Sequence, residues 1–274
     1  MQDRSPAGHV LDAAVALTPQ DANRYLGHTS PAYANMVGPF GGTIGATLLN
    51  AVMLHPDRLG DPLTLTVNFA APIADGTFSV LARVMRTNRS TQHWLVELQQ
   101  DGQVAAFATA ITAVRRETWS ETDAAFPLAP PPAQVPQSPA HPQAAWTACY
   151  EMRFISGIPG EPAQDAGGHP SETRLWIRDQ PPRPLDFLSL AALCDAFYPR
   201  VLLRRQKWTP AGTVALTTYF HVDAAQLNAH GDAPLLGTAR ALRFHKGFFD
   251  QSAEMWTPGG VLLATSHQVV YFKE

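Results

Sequence analysis

Charged residues are scarce in this chain. They make up 16% of its 274 residues, against about 25% in typical soluble proteins. The formal net charge of −3 excludes the polycationic surface with which proteins hold nucleic acid. No apolar run reaches the about 18 residues of a membrane-spanning helix, and the first residues lack the apolar core of a signal peptide. We therefore expect a cytoplasmic protein with neither nucleic acid nor a membrane as partner.

Cysteine and the usual catalytic or metal-binding motifs are also sparse. The two cysteines, Cys149 and Cys194, form no CxxC pair and cannot build a disulfide framework. The sequence contains no HExxH zinc motif and no GxSxG nucleophile elbow. Its histidines on predicted strands lack metal-ligand spacing. These absences predict a protein of a reducing compartment that holds no metal and no resident cofactor.

Proline, in contrast, is abundant, and seven of the 24 prolines lie in residues 126–143, which contain no charged residue. Because proline fixes φ and lacks a backbone donor, this segment is excluded from helices and central strands. We interpret it as an extended linker. It separates an N-terminal unit, 1–125, from a C-terminal unit, 144–274.

The two units repeat the same order of predicted elements. In the first, an apolar helix over 41–56 precedes strands within 62–72, 76–87, 91–100 and 103–115. In the second, a helix over 185–199 precedes strands within 212–222, 235–245, 252–258 and 261–272. Pro56 and Pro199 are predicted to end the two helices. The difference in residue number between matching positions of the two halves increases only slightly from these prolines to the last strands. The increase falls in loops, so the pattern indicates a tandem duplication.

The helix predicted over 185–199 is apolar on nearly every side, so other elements must surround it. Alternating antiparallel strands do so by curling around it. The expected fold is therefore α+β: a double hotdog of two tandem units, each with a helix wrapped by an antiparallel sheet.

Several segments resemble the TesB-like acyl-CoA thioesterases. In the first half they are FGGTIGATLLNAV, VNFAAP, RTNRSTQHW and LQQDG, and in the second LCDAFYP, a strand ending in YFH, and a final strand with SHQ. The likeness runs from about residue 35 to the C-terminus. It implies hydrolysis of an acyl-CoA, and assembly into a homodimer or homotetramer through exposed sheet surface.

Three polar residues occur in the second half only. Asp195, on the apolar helix, corresponds to Val52, Gln268 to Ile111, and Thr213 to Pro62. A buried carboxylate is a candidate general base, although a carboxylate at an exposed helix end is an equal alternative for Asp195 alone. Since a requirement of the fold would apply to both copies, this difference indicates a single working site.

The resemblance assigns these residues a role. TesB-like thioesterases hold a water against the thioester carbonyl with an aspartate, a serine or threonine, and a glutamine, which match Asp195, Thr213 and Gln268. If the strand is aligned differently with the family, the hydroxyl of the site is that of Thr217, which we expect on the same face of the strand as Thr213.

Backbone N–H groups at Gly41 and Gly42, at the start of the first helix, could stabilise an oxyanion, or the glycines could serve close packing alone. Arg86 and Arg89 could meet the phosphates of coenzyme A, as could Arg204, Arg205 and Lys207 after the second helix. Two other functions stay open: hydration or dehydration of an acyl thioester, and acyl-CoA binding without catalysis.

Overall fold

The computed structural model describes residues 8–160 and 169–274, which contain five α-helices and thirteen β-strands. The helices are α1 (Val10–Ala14), α2 (Gly41–Leu54), α3 (Phe187–Leu193), α4 (Arg200–Arg205) and α5 (Ala224–His230). The strands of the first half are β1 (Thr18–Pro19), β2 (Arg24–His28), β3 (Asp61–Phe69), β4 (Thr77–Thr87), β5 (Thr91–Gln100) and β6 (Gln103–Ala113). Those of the second half are β7 (Tyr150–Ser156), β8 (Thr173–Asp179), β9 (Ala211–Phe220), β10 (Leu235–Arg240), β11 (Phe244–His245), β12 (Phe248–Trp256) and β13 (Leu262–Phe272).

All the strands belong to one antiparallel sheet. Its order is β1-β2-β4-β5-β6-β3-β9-β13-β12-β10-β8-β7, with β11 paired to β12. The six strands of the first half thus lie on one side of the junction between β3 and β9, and those of the second half lie on the other. The four strands predicted after α2 are confirmed, and so are the strands after α4, whereas β1, β2, β7 and β8 were not predicted.

The first helix is confirmed: α2 ends at Leu54, and Pro56 follows its C-cap His55. Ten of its fourteen residues are buried because it packs against α3 and against β3, β4, β5 and β6. Burial on most sides is what an all-round apolar helix requires.

The prediction of one helix over 185–199 was wrong. Helix α3 ends at Leu193, and the amides of Asp195 and Ala196 bond three residues back, to the carbonyls of Ala192 and Leu193. This tight turn takes the chain out of the α-helical ladder. Pro199 is the N-cap of α4, a position where its missing N–H costs nothing. It therefore starts a helix and does not end one. Asp195 was matched with Val52 by treating Pro56 and Pro199 as equivalent helix ends, so that match has no support in the structure.

The register of the sheet supports the repeat with one correction. At the junction of the halves Thr66 pairs with Thr217, as equivalent residues at a local two-fold axis would. With the same offset, Leu65 and Leu216 are equivalent, and they pair with Ala110 and Gln268. The counterpart of Gln268 is therefore Ala110, and the prediction of Ile111 was wrong. The difference matters, because neighbouring residues of a strand face opposite sides of the sheet, so Ile111 and the true counterpart Ala110 lie on opposite faces.

The proline-rich segment 126–143 has no regular element except a short 3₁₀ turn at Pro132–Gln134, and most of it is exposed. It is held against β7 and β8 by Trp176 Nε1, which donates to the carbonyl of Pro130, and by Arg153, which donates to that of Val135. The last part of the segment reaches the cavity described below. Among the described residues, no helix is long and apolar enough to cross a membrane.

Candidate active site

Asp195 lies in the turn that ends α3, and its carboxylate faces the first turn of α2. The amide of Gly42 donates a hydrogen bond to this carboxylate. A 14-residue helix such as α2 concentrates partial positive charge at its N-terminus, which favours an anion there. The short α3 and the long α2 thus meet at a single carboxylate.

A row of hydrogen bonds joins the three polar residues of the second half. Gln268 Nε2 donates to Asp195 Oδ1 at 2.7 Å, and Thr213 Oγ1 donates to Gln268 Oε1 at 3.1 Å. Since the amide oxygen of Gln268 accepts from Thr213, its nitrogen must point at Asp195. The orientation of all three side chains is therefore fixed.

Burial raises the pKa of Asp195 from 3.8 to about 7, and the hydrogen bonds from Gln268 and Gly42 offset part of this increase. The residue is half-buried because one side of it faces the cavity. Loss of hydration disfavours the carboxylate, and the two donors favour it. A carboxyl group with a pKa near neutrality is suited to exchanging protons at physiological pH.

The two glycines at the start of α2 allow close approach. A Cβ on Gly41 would lie 2.7 Å from Asp195 Oδ2, and one on Gly42 would lie 2.6 Å from the carbonyl oxygen of Ala192. Both distances are shorter than a side chain tolerates. Of the two predicted oxyanion donors, the Gly42 amide is directed at the Asp195 carboxylate and lowers its pKa. The Gly41 N–H donates no hydrogen bond within the described part of the chain and stays available at the cavity wall.

The three polar side chains line a cavity of about 1140 Å³. Its interior is mainly aromatic and aliphatic, with Phe40, Ile44, Phe69, Trp146, Phe197 and Leu202 on the wall. Two exposed lysines, Lys207 and Lys273, also border it. The cavity therefore combines an apolar interior with positive charge at its opening.

A β-bulge decides between the two candidate threonines. The ladder of β9 and β13 shifts between Val269 and Val270, so that Val270 pairs with Thr213 and Val214 is the extra residue. This shift turns Thr213 to the inner face with Gln268. Thr217 lies on the outer face, where its hydroxyl is 3.0 Å from that of Thr66. The expectation that both threonines share a face was wrong, because a bulge between them reverses the alternation.

Arg86 and Arg89 are not at this cavity. Arg86 lies near the end of β4, where its Nε donates to Asn88 Oδ1, and Arg89 lies in the following turn to β5. That turn is beside Asp61, at the start of β3, whereas the cavity lies at Phe69, where β3 ends. Of the basic residues after α3, Lys207 borders the cavity, while Arg205 pairs with Glu274 and Arg204 bonds the carbonyl of His169.

The polar residues of the cavity that sequence reasoning missed include Gln251 and Lys273. Gln251 lies on the inner face of β12 and pairs with Gln268. The alternation of Phe249, Gln251 and Ala253 was available as evidence for it, since it places a polar residue at an inward position. The strand was predicted from residue 252 onward, so Gln251 was left outside it. No group of three or more potential metal ligands occurs among the residues that the structure describes.

Two family models match the chain. The model of the acyl-CoA thioesterase N-terminal domain matches residues 30–113, and that of the acyl-CoA thioesterase C-terminal domain matches residues 127–272. A comparison with curated proteins gives no match.

Solved structures resemble the chain over nearly its whole length. A conserved protein of unknown function with hot dog fold from Alicyclobacillus acidocaldarius is 46% identical, with a TM-score of 0.93 over 98% of this chain and 99% of that one. An acyl-CoA thioesterase II TesB2 from Mycobacterium marinum is 19% identical, with a TM-score of 0.76 over 96% and 98%. A tesB protein from Mycobacterium avium subs paratuberculosis is 18% identical, with the same TM-score and coverage. The last two likenesses concern the fold.

Proposed function

The chain belongs to the acyl-CoA thioesterase family, and we propose that it hydrolyses an acyl-CoA to a carboxylic acid and free coenzyme A. One observation carries this proposal. The hydrogen-bonded row Thr213–Gln268–Asp195 lies on the wall of a largely apolar cavity, beside a helix N-terminus. A water held by this row would have both a proton acceptor and a fixed orientation.

In the proposed reaction Asp195 is the general base. A water molecule donates one hydrogen bond to the Asp195 carboxylate and is positioned by Gln268 and Thr213. Its oxygen attacks the thioester carbonyl carbon while its proton passes to the carboxylate. Since the Thr213 proton is directed to Gln268, the Thr213 oxygen keeps lone pairs with which it can accept a hydrogen bond from the water.

The carbonyl oxygen takes up negative charge as the water attacks. The N–H of Gly41, at the positive end of α2, is positioned to donate to it, and a donor in a site shielded from water is worth more than the same donor in solvent. The tetrahedral intermediate then collapses, the C–S bond breaks, and coenzyme A leaves as a thiolate. Thiols have a pKa of about 8.5, so the thiolate leaves readily and afterwards takes the proton from Asp195.

The charge at the opening sets the direction of the substrate. Lys207 and Lys273 are exposed and would meet the phosphates of coenzyme A, while the acyl chain would enter the apolar interior. This assignment replaces the predicted one to Arg86 and Arg89.

We also infer that the chain is a double hotdog, with units at 1–125 and 144–274 joined by the linker 126–143. The equivalent bulges support this inference. Strand β3 is irregular between Pro62 and Thr64, and β9 lacks a partner for Val214, the equivalent of Leu63 when Thr66 is aligned with Thr217. Helices α2 and α3 are then the central helices of the two units. A pair of units would form two symmetric sites, of which one retains the polar residues.

The direct test is release of free thiol from a panel of acyl-CoA esters, followed with a thiol reagent, for the wild type and for Asp195→Asn. The substitution keeps the size of the side chain and removes the base, so we expect kcat to fall by about 10²–10⁴ in a folded protein. Asp179→Asn is the matched control, because it changes a buried carboxylate that does not border the cavity, and it should keep most of the activity. Wild-type rates in folded Asp195→Asn would disprove the mechanism.

The same panel separates the two alternative functions. A hydratase or dehydratase would change the absorbance of an unsaturated acyl-CoA without releasing thiol. A binding protein would do neither and would still retain the ester in a titration. The row of Asp195, Gln268 and Thr213 favours hydrolysis, because binding alone requires no carboxylate in an apolar cavity.

A further inference from the structure

Gln251 is a buried residue whose side-chain amide has no hydrogen-bond partner among the described residues. It is 3% exposed, and its side chain borders the cavity. Within residues 8–160 and 169–274 this side chain makes no hydrogen bond. Almost all buried polar groups in proteins are hydrogen-bonded, and the Gln251 amide is open to the cavity, since it is not one of the side-chain groups that are shut off from solvent without a partner. Since the amide faces the cavity, a molecule bound there can supply the missing partner.

The position of Gln251 relative to the proposed reaction is defined by the sheet. Gln251 on β12 is directly opposite Gln268 on β13, and neighbouring strands are about 4.8 Å apart. The amide is therefore one strand away from the row that holds the water. An oxygen on the third carbon of the acyl chain is three bonds from the carbonyl carbon and can extend toward the neighbouring strand, whereas an oxygen on the second carbon stays closer to the carbonyl.

Gln251 also lies on the acyl side of the cavity. The cationic residues Lys207 and Lys273 are exposed, whereas Gln251 is buried in the interior. The coenzyme A portion of a substrate would occupy the opening, so the group that reaches Gln251 belongs to the acyl portion.

The first half has a different residue at the equivalent place. Ala110, the counterpart of Gln268, pairs with Trp94 on β5. Trp94 is buried, and its Nε1 donates to Thr112 Oγ1 at 3.2 Å, so its polar atom is satisfied within the protein. The amide of Gln251 is thus one more polar group found only in the second half, and no requirement of the repeated fold explains it.

We propose that Gln251 selects acyl groups that carry a hydroxyl or oxo oxygen near the thioester, the third carbon being the best placed. The proposal rests on the proposed function, since it concerns the substrate of the same site. An amide can donate to either kind of oxygen and can accept from a hydroxyl. A wholly apolar chain would remove water from Gln251 and leave its amide unpaired, which costs binding free energy.

The test compares kcat/KM for 3-hydroxyoctanoyl-CoA and octanoyl-CoA, two esters of the same length, in the wild type and in Gln251→Met. The wild type should favour the hydroxylated ester by about tenfold or more, the effect of one hydrogen bond. Methionine has a similar length and no amide, so the preference should fall by about tenfold while hydrolysis of octanoyl-CoA stays at the wild-type level or rises. Ser252→Ala, at the next residue of β12 on the other face, is the control and should keep the wild-type preference.

Two results would overturn the proposal: an unchanged ratio in Gln251→Met, or equal losses for both esters, which would indicate general positioning of the thioester. The thermal midpoint of Gln251→Met checks the fold. It should not fall, because no protein group loses a partner. If the wild type released thiol from neither ester, the proposed function would be wrong, and titration of both esters into Asp195→Asn and into the double variant with Gln251→Met would still decide whether Gln251 reads the hydroxyl.

Discussion

At the scale of single residues, the site depends on one carboxyl group whose two protonation states are close in free energy. Asp195 is surrounded by protein on most sides, which favours the neutral acid, and it receives hydrogen bonds from Gln268 and Gly42, which favour the carboxylate. Burial outweighs the two donors and raises the pKa of Asp195 to about 7. Both activity and stability should therefore depend on pH near neutrality.

Activity should rise with pH through this pKa. Since the general base must be a carboxylate, kcat/KM should fall about tenfold per pH unit below the pKa of Asp195, which is about 7, and should level off above it. The measurement is the pH profile of thiol release at low substrate concentration. Asp179→Asn should show the same profile, because its carboxylate lies outside the cavity. A profile that stays flat between about pH 5 and about pH 8 would exclude Asp195 as the base.

Stability should change with pH in the opposite direction. The pKa of Asp195 is about 7 in the folded protein and near 3.8 without the fold, so between these values the folded chain binds more protons than the unfolded chain. The contribution of Asp195 to the free energy of unfolding therefore decreases as pH rises through this window. Asp195→Asn carries no carboxylate that must be ionised inside the fold. It should therefore be more stable than the wild type above pH about 7 and similar to it near pH about 4. Denaturant titrations of both proteins across that range measure the difference.

At the scale of elements, the extra residue Val214 determines which hydroxyl reaches the site. It sets Thr213 beside Val270 and turns it to the inner face. Without the bulge, Thr213 and Thr217 would share a face, as simple alternation requires. The bulge is a property of two paired strands, because it is defined by the register of β9 against β13.

Substitutions at the two threonines test this register. Thr213→Val removes the donor to Gln268 Oε1 and frees the amide to turn, so kcat should fall by about tenfold or more. Thr217→Val removes a hydroxyl that lies on the outer face, within hydrogen-bond distance of the Thr66 hydroxyl, and should leave kcat near the wild-type value. Thiol release by the two purified variants measures both effects. Equal losses in the two would contradict the assignment of Thr213.

At the scale of the whole molecule, the outer face of the sheet carries exposed apolar and aromatic side chains, interspersed with polar ones, where its two halves meet. Phe107, Asn68, Ala215 and Val269 follow one another across β6, β3, β9 and β13. Phe107 and Val269 are 37% and 47% exposed, and Tyr219 nearby is 41% exposed. A central strip with exposed apolar and aromatic side chains suits a second copy of the same surface.

We therefore expect a homodimer, or a homotetramer built from it, that forms through this strip. Light scattering should give a mass of at least twice the 29.7 kDa of one chain. Val269→Lys places a charge in the strip and should shift the population toward single chains. Leu242→Lys, at a residue that is 74% exposed and lies outside the strip, is the control. The mass of a single chain alone, measured at high protein concentration, would refute the prediction.

Much of the architecture follows from the sequence alone, because it depends on periodicity over many residues. The alternation in 91–100 and the apolar helix beginning at Gly41 were sufficient to predict β5 and α2. The prediction of a tandem repeat rested on the same order of elements in both halves. The comparison of the two halves singled out Thr213 and Gln268, whose counterparts Pro62 and Ala110 lack hydrogen-bonding side chains, whereas Asp195 was aligned through Pro199, which starts a helix.

Other features were decided by the tertiary structure, because they depend on contacts between distant segments. The early end of α3 places Asp195 against Gly42 of the other half. The bulge at Val214 separates Thr213 from Thr217, and the pairing of β12 with β13 brings Gln251 beside Gln268. The location of the basic residues likewise depends on which end of the strands opens to solvent. Local periodicity determines an element and its faces, whereas register, bulges and the meeting of helix ends arise when the elements pack.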